Sequence, residues 1–293
     1  MQSYLLIGIF MLSAVKLCCQ NSTDTLRYIF LGHTYDWQAD GSKVDPRIEQ
    51  LEFSGYKRIW LGGDICSEAS LKYSTVEYIV NLFNLSNPAN HWSLGNHDIR
   101  NGNVEWIEEL TKRKTYYAYE RDGIVTINLN TNLTPADCEN LNKQWVIIQN
   151  VCDTIKKSSH LFLLMHHGIT DGVPGIPPPS TFGHSNLKYW NASCFDVEST
   201  FANAVYPLLL NVKSKGIEVF LIMGDAGTQS KEFHMPSADG IHFFASGINN
   251  SYYTDPVELA NAPKDKVLIF EHIPTEKKLE WKFHDLDSLL SSQ

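Results

Sequence analysis

The chain has 293 residues, of which 43% are hydrophobic and 19% are charged, a balance typical of a folded globular protein. Its 24 basic and 33 acidic residues give a net charge of −9, whereas proteins that bind nucleic acid through its phosphates usually carry an excess of positive charge. The composition therefore excludes a disordered or low-complexity chain, and no nucleic-acid partner is expected.

The N-terminal segment predicts a secretory signal peptide. Tyr4 to Val15 is an apolar run of about twelve residues, too short to span a bilayer, which needs about twenty. The length suits the apolar region of a signal peptide, although no Lys or Arg precedes it. We therefore expect a signal peptide over residues 1–20, one domain over residues 21–293 and no transmembrane anchor. The expected location is extracellular or in the lumen of the secretory pathway.

Hydrophobic periodicity predicts alternating strands and helices over most of the chain, followed by a region of strands from Ile241 to Phe283. This order predicts an α/β (α+β) fold in which two stacked sheets are flanked by helices. The earlier predicted elements are, in chain order, strand Leu26–Leu31, helix Asp45–Phe53, strand Arg58–Leu61, helix Ser74–Phe83, strand His91–Leu94, helix Val104–Lys112, hairpin Thr115–Leu129, helix Asp137–Lys157, strand Leu161–Met165, helix Val197–Lys213 and strand Val219–Met223.

Cysteines and sequons fit an oxidising compartment. Four cysteines follow the signal segment and allow up to two disulfides in any of three pairings, of which Cys138–Cys152 is the more local one. The other two cysteines are Cys66 and Cys194. Five N-x-S/T sequons are compatible with a secreted glycoprotein, and they start at Asn21, Asn84, Asn132, Asn191 and Asn249.

Five predicted strands end in short polar or glycine-rich turns. Because ligands of open α/β sheets bind at the carboxyl ends of strands, these turns are expected to converge. Imidazole and carboxylate groups suit divalent metals, and an amide oxygen adds a further ligand. The five turns are Gly32–Asp36, Gly62–Asp64, Gly95–Asp98, His166–Gly168 and Gly224–Gly227.

The third of these turns, Gly95-Asn96-His97-Asp98, matches the GNH[DE] motif of the calcineurin-like metallophosphoesterase family. Gly63-Asp64 matches the GD motif of that family, and His166 matches its strand-borne histidine, so the chain resembles the family from Leu26 to His242. The resemblance implies a metallophosphoesterase-type two-sheet β-sandwich. It also implies hydrolysis of a phosphate ester or anhydride with one or two divalent metal ions (Mn, Zn or Fe).

Two motifs depart from the family pattern. His33-Thr34-Tyr35 stands where the family has D-x-H, and Gly224-Asp225-Ala226-Gly227 stands where it has G-H-x-H. The resemblance implies two metal positions bridged by one carboxylate, one of them with a full ligand set and the other weakened. The first position would use Asp64, Asn96, His166 and Asp225, and the second Asp64 and His33, with Tyr35 as an optional ligand.

The remaining polar residues of the third turn are predicted to be catalytic. Adjacent side chains diverge, so His97 is expected to donate a proton to the leaving group rather than bind the metal of Asn96. Asp98 is expected to orient His97 by a hydrogen bond. His184 follows the Pro- and Gly-rich stretch Gly172 to Gly183, and it is a further candidate for a ligand or a substrate contact.

These features predict a secreted, metal-dependent phosphoesterase acting on a phosphorylated small molecule. The alternative is a catalytically weakened pseudoenzyme that acts as a secreted binding protein, which the two altered motifs favour. Other enzyme classes lack support, since the sequence contains no G-x-S-x-G, Walker A or G-x-G-x-x-G motif. The sequence leaves open whether the substrate is a monoester, a diester or a pyrophosphate, and it leaves open the oligomeric state.

Overall fold

A computed structural model describes residues 25–182, 187 and 190–293. The predicted signal peptide, the sequon at Asn21 and the candidate residue His184 lie outside the described residues. The strands of the described part are β1 (Leu26–Leu31), β2 (Arg58–Leu61), β3 (His91–Trp92), β4 (Tyr117–Arg121), β5 (Ile124–Asn128), β6 (His160–Met165), β7 (Glu218–Met223), β8 (Glu232–Pro236), β9 (His242–Ser246), β10 (Lys266–Ile273) and β11 (Lys278–Asp285).

The helices lie mainly between the strands. Among the described residues, no helix is both long and apolar enough to cross a membrane. The α-helices are α1 (Pro46–Glu49), α2 (Tyr73–Leu82), α3 (Asn96–Ile99), α4 (Val104–Thr111), α5 (Cys138–Thr154), α6 (Pro179–Phe182), α7 (Tyr206–Ser214), α8 (Gly227–Ser230), α9 (Pro256–Asn261) and α10 (Leu286–Leu290). Short 3₁₀ turns lie at Phe53–Gly55, Ala69–Leu71, Pro135–Asp137 and Asn250–Tyr252, and a π-helical turn at Phe201–Val205 leads into α7.

The strands form two mixed sheets. The first has the order β11-β10-β1-β2-β3, and the second has the order β4-β5-β6-β7-β9-β8. β1, β2 and β3 run parallel in the first sheet, and β5, β6, β7 and β9 run parallel in the second. The carboxyl ends of the parallel strands therefore lie at one edge of each sheet.

The central strands are buried on both faces, and successive side chains enter different hydrophobic layers. In β1, Tyr28 and Phe30 belong to the layer between the sheets, which also contains Phe162 of β6 and Phe220 of β7. Ile29 packs on the opposite face of the first sheet, against α2. A third layer lies between the second sheet and helices α5 and α7. The predicted fold class is confirmed: the protein is α/β, with two stacked sheets flanked by helices.

Several elements differ from the sequence prediction. The predicted helix Val197–Lys213 begins only at Phe201, where a π-helical turn leads into α7, and β8 was not predicted. The region from Ile241 to Phe283 is not made of strands alone, because α9 interrupts it. The side chain of Asp255 accepts hydrogen bonds from the backbone at the start of α9, and Pro256 occupies its first turn, so a helix-start signal was present in the sequence. The predicted helix Asp45–Phe53 is reduced to α1, which ends at Glu49.

One disulfide joins Cys138, at the start of α5, to Cys194. Of the three possible pairings, the local pair Cys138–Cys152 is therefore not formed. Cys66 and Cys152 are free and buried, and they belong to hydrophobic layers on opposite sides of the sandwich. These two thiols accordingly cannot pair with each other.

Candidate metal and catalytic site

Two glycines allow the carboxyl edges of the sheets to touch. A Cβ atom on Gly224, which follows β7, would lie 1.8 Å from the carbonyl oxygen of Gly62, which follows β2. A Cβ atom on Gly62 would lie 2.9 Å from the Cα atom of Gly224, so neither position has room for a side chain. Because β2 and β7 belong to different sheets, this contact places the turn that carries Asp64 beside the turn that carries Asp225.

The buried carboxylate of Asp64 lies where the turns meet. Its Oδ1 atom accepts a hydrogen bond from the backbone N–H of His97 at 2.9 Å. Its Oδ2 atom has no hydrogen-bond partner and lies 3.4 Å from Nε2 of His166 and 3.6 Å from Nε2 of His33. The ends of β1, β2 and β6 thus direct two imidazoles at one carboxylate oxygen.

The orientation of His166 suits a metal ligand. Its Nδ1 atom lies 2.8 Å from the carbonyl oxygen of Gly62 and must donate the proton of that hydrogen bond, which leaves Nε2 facing Asp64. This buried Nε2 atom has no hydrogen-bond partner either. Ligand atoms at about 2.0–2.2 Å from one Zn²⁺ ion lie roughly 3.0–3.5 Å from each other. The 3.4 Å between Nε2 of His166 and Oδ2 of Asp64 therefore fits two ligands of one ion.

The pKa values of Asp64 and His166 are shifted by their contact. Burial alone would lower the pKa of His166, but the adjacent Asp64 carboxylate raises it to about 10. Burial would likewise raise the pKa of Asp64, and His166 instead lowers it below its usual range. Burial lowers the pKa of His33 to about 4, so this imidazole is neutral. These shifts place the proton on His166, and a metal ion bound by Nε2 of His166 would displace it.

A further group of possible ligands lies at the ends of β6 and β7. Ligand atoms of His166, His167 and Asp225 all lie within 4.8 Å of one another, and all three residues are buried. The backbone N–H of Asp225 donates to the carbonyl oxygen of His166 at 2.9 Å, which fixes the two turns side by side. His167 is not among the predicted ligands. The doublet His166-His167 at a strand end was the sequence signal that could have identified it.

The chain neighbours of Asn96 contact Asp64. Asn96 is the half-buried first residue of α3, between His97 and Gly95, and a Cβ atom on Gly95 would lie 2.1 Å from Oδ1 of Asp64. The structure therefore brings all five predicted metal ligands to one edge of the sandwich. Their roles as ligands remain predictions, and the five are His33, Asp64, Asn96, His166 and Asp225.

The side chain of Asp98 joins the turn of Asp64 to its own turn, Gly95–Asp98, by hydrogen bonds. Its Oδ2 atom accepts hydrogen bonds from the backbone N–H of Asp64 at 2.8 Å, from that of Gly95 at 2.8 Å and from the indole of Trp92 at 3.1 Å. Its Oδ1 atom accepts from the backbone N–H of Ile65 at 2.9 Å. Burial and the nearby Asp64 carboxylate raise the pKa of Asp98 to about 7. The side chain holds the Asp64 turn in register with the start of α3.

His97 is held by other partners than the one predicted. Its Nδ1 atom donates to the carbonyl oxygen of Ser67 at 3.0 Å, and its Nε2 atom lies 3.0 Å from a guanidinium nitrogen of Arg100. Among the described residues, the expected hydrogen bond from this ring to the Asp98 carboxylate is not formed, because backbone and indole N–H groups occupy both Asp98 oxygens. The catalytic roles of His97 and Asp98 stay predictions. Arg100 was missed, although it lies three residues after His97 on a helical turn.

Tyr35 packs against the site through its ring. The ring centroid lies 4.6 Å from that of His33 and 5.0 Å from that of His97. Burial and the carboxylate of Asp64 raise the pKa of Tyr35 above its usual range, which favours the neutral phenol. The predicted role of Tyr35 as an optional ligand would require loss of this proton.

Comparisons with known proteins add solved structures of low similarity. A scan against protein-family models finds no match, and a search of curated proteins finds none either. A single mutant of Vps29 from Entamoeba histolytica aligns with a TM-score of 0.37 and 12% identity, covering 89% of this chain and 99% of that chain. Zn²⁺-complexed wild-type Vps29 from the same organism gives a TM-score of 0.35 and 12% identity, with the same coverage. Vps29 from Chaetomium thermophilum gives 0.33 and 8%, covering 88% of this chain and 94% of that chain. Similarities this low carry no weight for function.

Proposed function

We propose that the protein is a metal-dependent phosphoesterase of the calcineurin-like type, which hydrolyses a phosphate ester or anhydride. The observation that supports this most strongly is the buried Oδ2 atom of Asp64, which has no hydrogen bond and lies 3.4 Å from Nε2 of His166 and 3.6 Å from Nε2 of His33. A bound Mn²⁺, Zn²⁺ or Fe ion would lower the pKa of a water molecule and offset the negative charge of the phosphoryl group.

The side chains of the site divide into ligands and groups that act on the substrate. Asp64 would contact both metal positions, because His33 and His166 approach it from different strands. The ligand set would be His33, Asp64, Asn96, His166 and Asp225, with His167 as an addition from the structure. One or two ions per chain would be held.

His97 would supply the proton of the leaving group. Its Nε2 atom accepts a hydrogen bond from Arg100, whose side chain is exposed and can turn toward a bound substrate. A guanidinium pairs well with phosphate oxygens. Movement of Arg100 onto the phosphoryl group would free Nε2 of His97, which could then take up a proton from solvent and donate it to the departing oxygen.

The test is an assay of the purified chain, stripped of metal and then supplied with Mn²⁺, Zn²⁺ or Fe²⁺. The substrates are p-nitrophenyl phosphate, its bis-ester, a nucleoside monophosphate and pyrophosphate. Turnover that returns with metal supports the proposal. Tight metal binding without turnover of any substrate would instead favour the alternative, a secreted binding protein. The altered motifs at His33 and Gly227 are the sequence evidence for that alternative.

We also propose that the protein is secreted and glycosylated. The disulfide between Cys138 and Cys194 supports an oxidising compartment. Of the four described sequon asparagines, Asn84 is exposed and the other three are half-buried, so Asn84 is the favoured attachment site. N-terminal sequencing of secreted material should show a start near residues 18–21. Material that retains Met1 would contradict the signal peptide.

A further inference from the structure

A line of aromatic rings leads from the candidate site to the surface. Beyond His33 and His97, the ring of Tyr35 contacts that of Trp37 at 4.6 Å between centroids. The ring of Trp37 also lies over His33, with centroids 6.1 Å apart and planes inclined by 28°. Tyr252 contacts the opposite end, with its centroid 5.1 Å from that of Trp37.

The exposure of these rings increases along the line from Tyr35 to Tyr252. Tyr35 is 2% exposed, Trp37 is 40% exposed and Tyr252 is 56% exposed. Trp37 and Tyr252 are therefore large apolar rings that remain in contact with solvent immediately beside a group of buried polar side chains. Such placement is typical of binding surfaces rather than of packing.

The two loops that carry the exposed rings are fastened to each other. The backbone N–H of Trp37 donates to the hydroxyl of Ser251 at 3.2 Å, and the side-chain amide of Gln38 donates to the carbonyl oxygen of Ser251 at 2.8 Å. These bonds join residues more than 200 positions apart in the chain. The relative position of the two rings is thus held by the fold.

We propose, building on the proposed phosphoesterase function, that Trp37 stacks on the base of a nucleotide-type phosphoester. Tyr252, whose ring plane is inclined by 79° to that of Trp37, would border this stacking surface rather than stack on the same base. Flat bases stack on exposed aromatic side chains irrespective of their sequence. Tyr35 is buried between His33 and Trp37, so Trp37 is the first ring of the line that solvent reaches. A base joined to the phosphate through a sugar would extend from the site toward Trp37, and Arg100, beside His97, would receive the phosphate.

The experiment compares adenosine 5′-monophosphate with ribose 5-phosphate, which share the leaving oxygen and differ at C1′, where the sugar phosphate has a hydroxyl in place of the base. The metal-loaded full chain should show a kcat/KM for the nucleotide roughly tenfold or more above that for the sugar phosphate, the scale of one base–aromatic stack. Trp37→Leu should reduce this ratio toward one. Tyr252→Leu, at a more exposed position with less risk to folding, should reduce it too. Phe195→Leu is the matched control, because Phe195 is 81% exposed and belongs to none of these ring contacts.

The outcomes separate this inference from the proposed function. Equal hydrolysis of both compounds by the wild type would overturn the stacking surface and leave the phosphoesterase intact. If neither compound is hydrolysed, calorimetry on the Mn²⁺-loaded protein decides. Tighter binding of the nucleotide, lost in Trp37→Leu, would keep the stacking surface and count against hydrolysis. Equal or undetectable binding of the two compounds would overturn the stacking surface. So would a ratio of the two kcat/KM values that neither Trp37→Leu nor Tyr252→Leu changes.

Discussion

The carboxylate of Asp64 has a geometry that a purely structural residue would not need. One oxygen accepts a backbone hydrogen bond, while the other is buried, has no hydrogen bond and faces His33 and His166. A buried carboxylate oxygen that faces two imidazoles fits the ligand chemistry of a divalent metal. His97 differs, since both of its ring nitrogens have partners and one partner, Arg100, is exposed.

The role of His97 can be separated from metal binding by the choice of substrate. His97→Gln should lower kcat by about 10²–10⁴-fold on an alkyl phosphate, whose departing oxygen needs a proton. The loss should be much smaller on p-nitrophenyl phosphate, because that oxygen leaves as a stable anion. Steady-state kinetics on both substrates checks the prediction, with metal content measured in parallel. An equal loss on both substrates would argue against proton donation.

The GNHD turn was predictable from the sequence because its residues are contiguous. The turns that carry the predicted ligands lie at one edge of the sandwich, while the roles of these residues as ligands stay predictions. The bonding of Asp98 was not predictable, since its direction depends on how the turn after β2 lies against α3. The line of rings from His33 to Tyr252 could not be predicted either, because it joins loops from distant parts of the chain.

At the scale of elements, the central strands were predicted almost to the residue because they are apolar on both faces. β1 and β2 have the predicted bounds, and β6 and β7 each begin one residue earlier than predicted. The helices were less accurate. α1 stops at Glu49, and α9 was missed, since short helices are set by capping and proline rather than by a long apolar period. The backbone contact between Gly62 and Gly224 brings the ends of β2 and β7 together at the site.

This contact predicts a large effect of a single methyl group. Gly224→Ala should lower the free energy of unfolding by about 1–3 kcal/mol, the usual result of forcing atoms into a packed site. It should also weaken metal binding, because the turns of Asp64 and Asp225 would separate. Urea unfolding and metal titration measure the two effects.

Gly55→Ala is the matched control. A Cβ atom there would meet nothing within 4 Å, and the residue does not have a positive φ angle. Its stability should change by less than about 1 kcal/mol. Equal stability and metal affinity of the two variants would show that the Gly62–Gly224 contact does not position the site.

At the scale of the whole molecule, the layer between the sheets contains ionisable side chains among its aromatic rings. His160 of β6 and His272 of β10 are buried, and their ring centroids lie 5.3 Å apart. Burial lowers the pKa of each to about 4, and Arg58 adds to the effect at His272. Both imidazoles are therefore neutral in the folded protein at neutral pH.

This predicts a loss of stability in mild acid. The unfolded chain takes up protons at these histidines near pH 6.5, whereas the folded chain does so only near pH 4. The free energy of unfolding should thus fall as pH decreases from about 6.5 to 4, by at most ~1.4 kcal/mol per pH unit for each site. Urea unfolding at several pH values measures the slope. His272→Leu should make the slope shallower, and an unchanged slope would contradict the assignment.

The central claim is that Asp64 holds metal for phosphoester hydrolysis, and Asp64→Asn tests it most directly. Elemental analysis and a phosphatase assay should be made on the wild type, on Asp64→Asn and on Asp153→Asn, an exposed control on α5. We predict at least one tightly held divalent metal per chain and metal-dependent turnover in the wild type and the control. Asp64→Asn should lose both, by about 10–100-fold or more. Retention by Asp64→Asn of full metal content and of more than about a tenth of the activity would contradict the account.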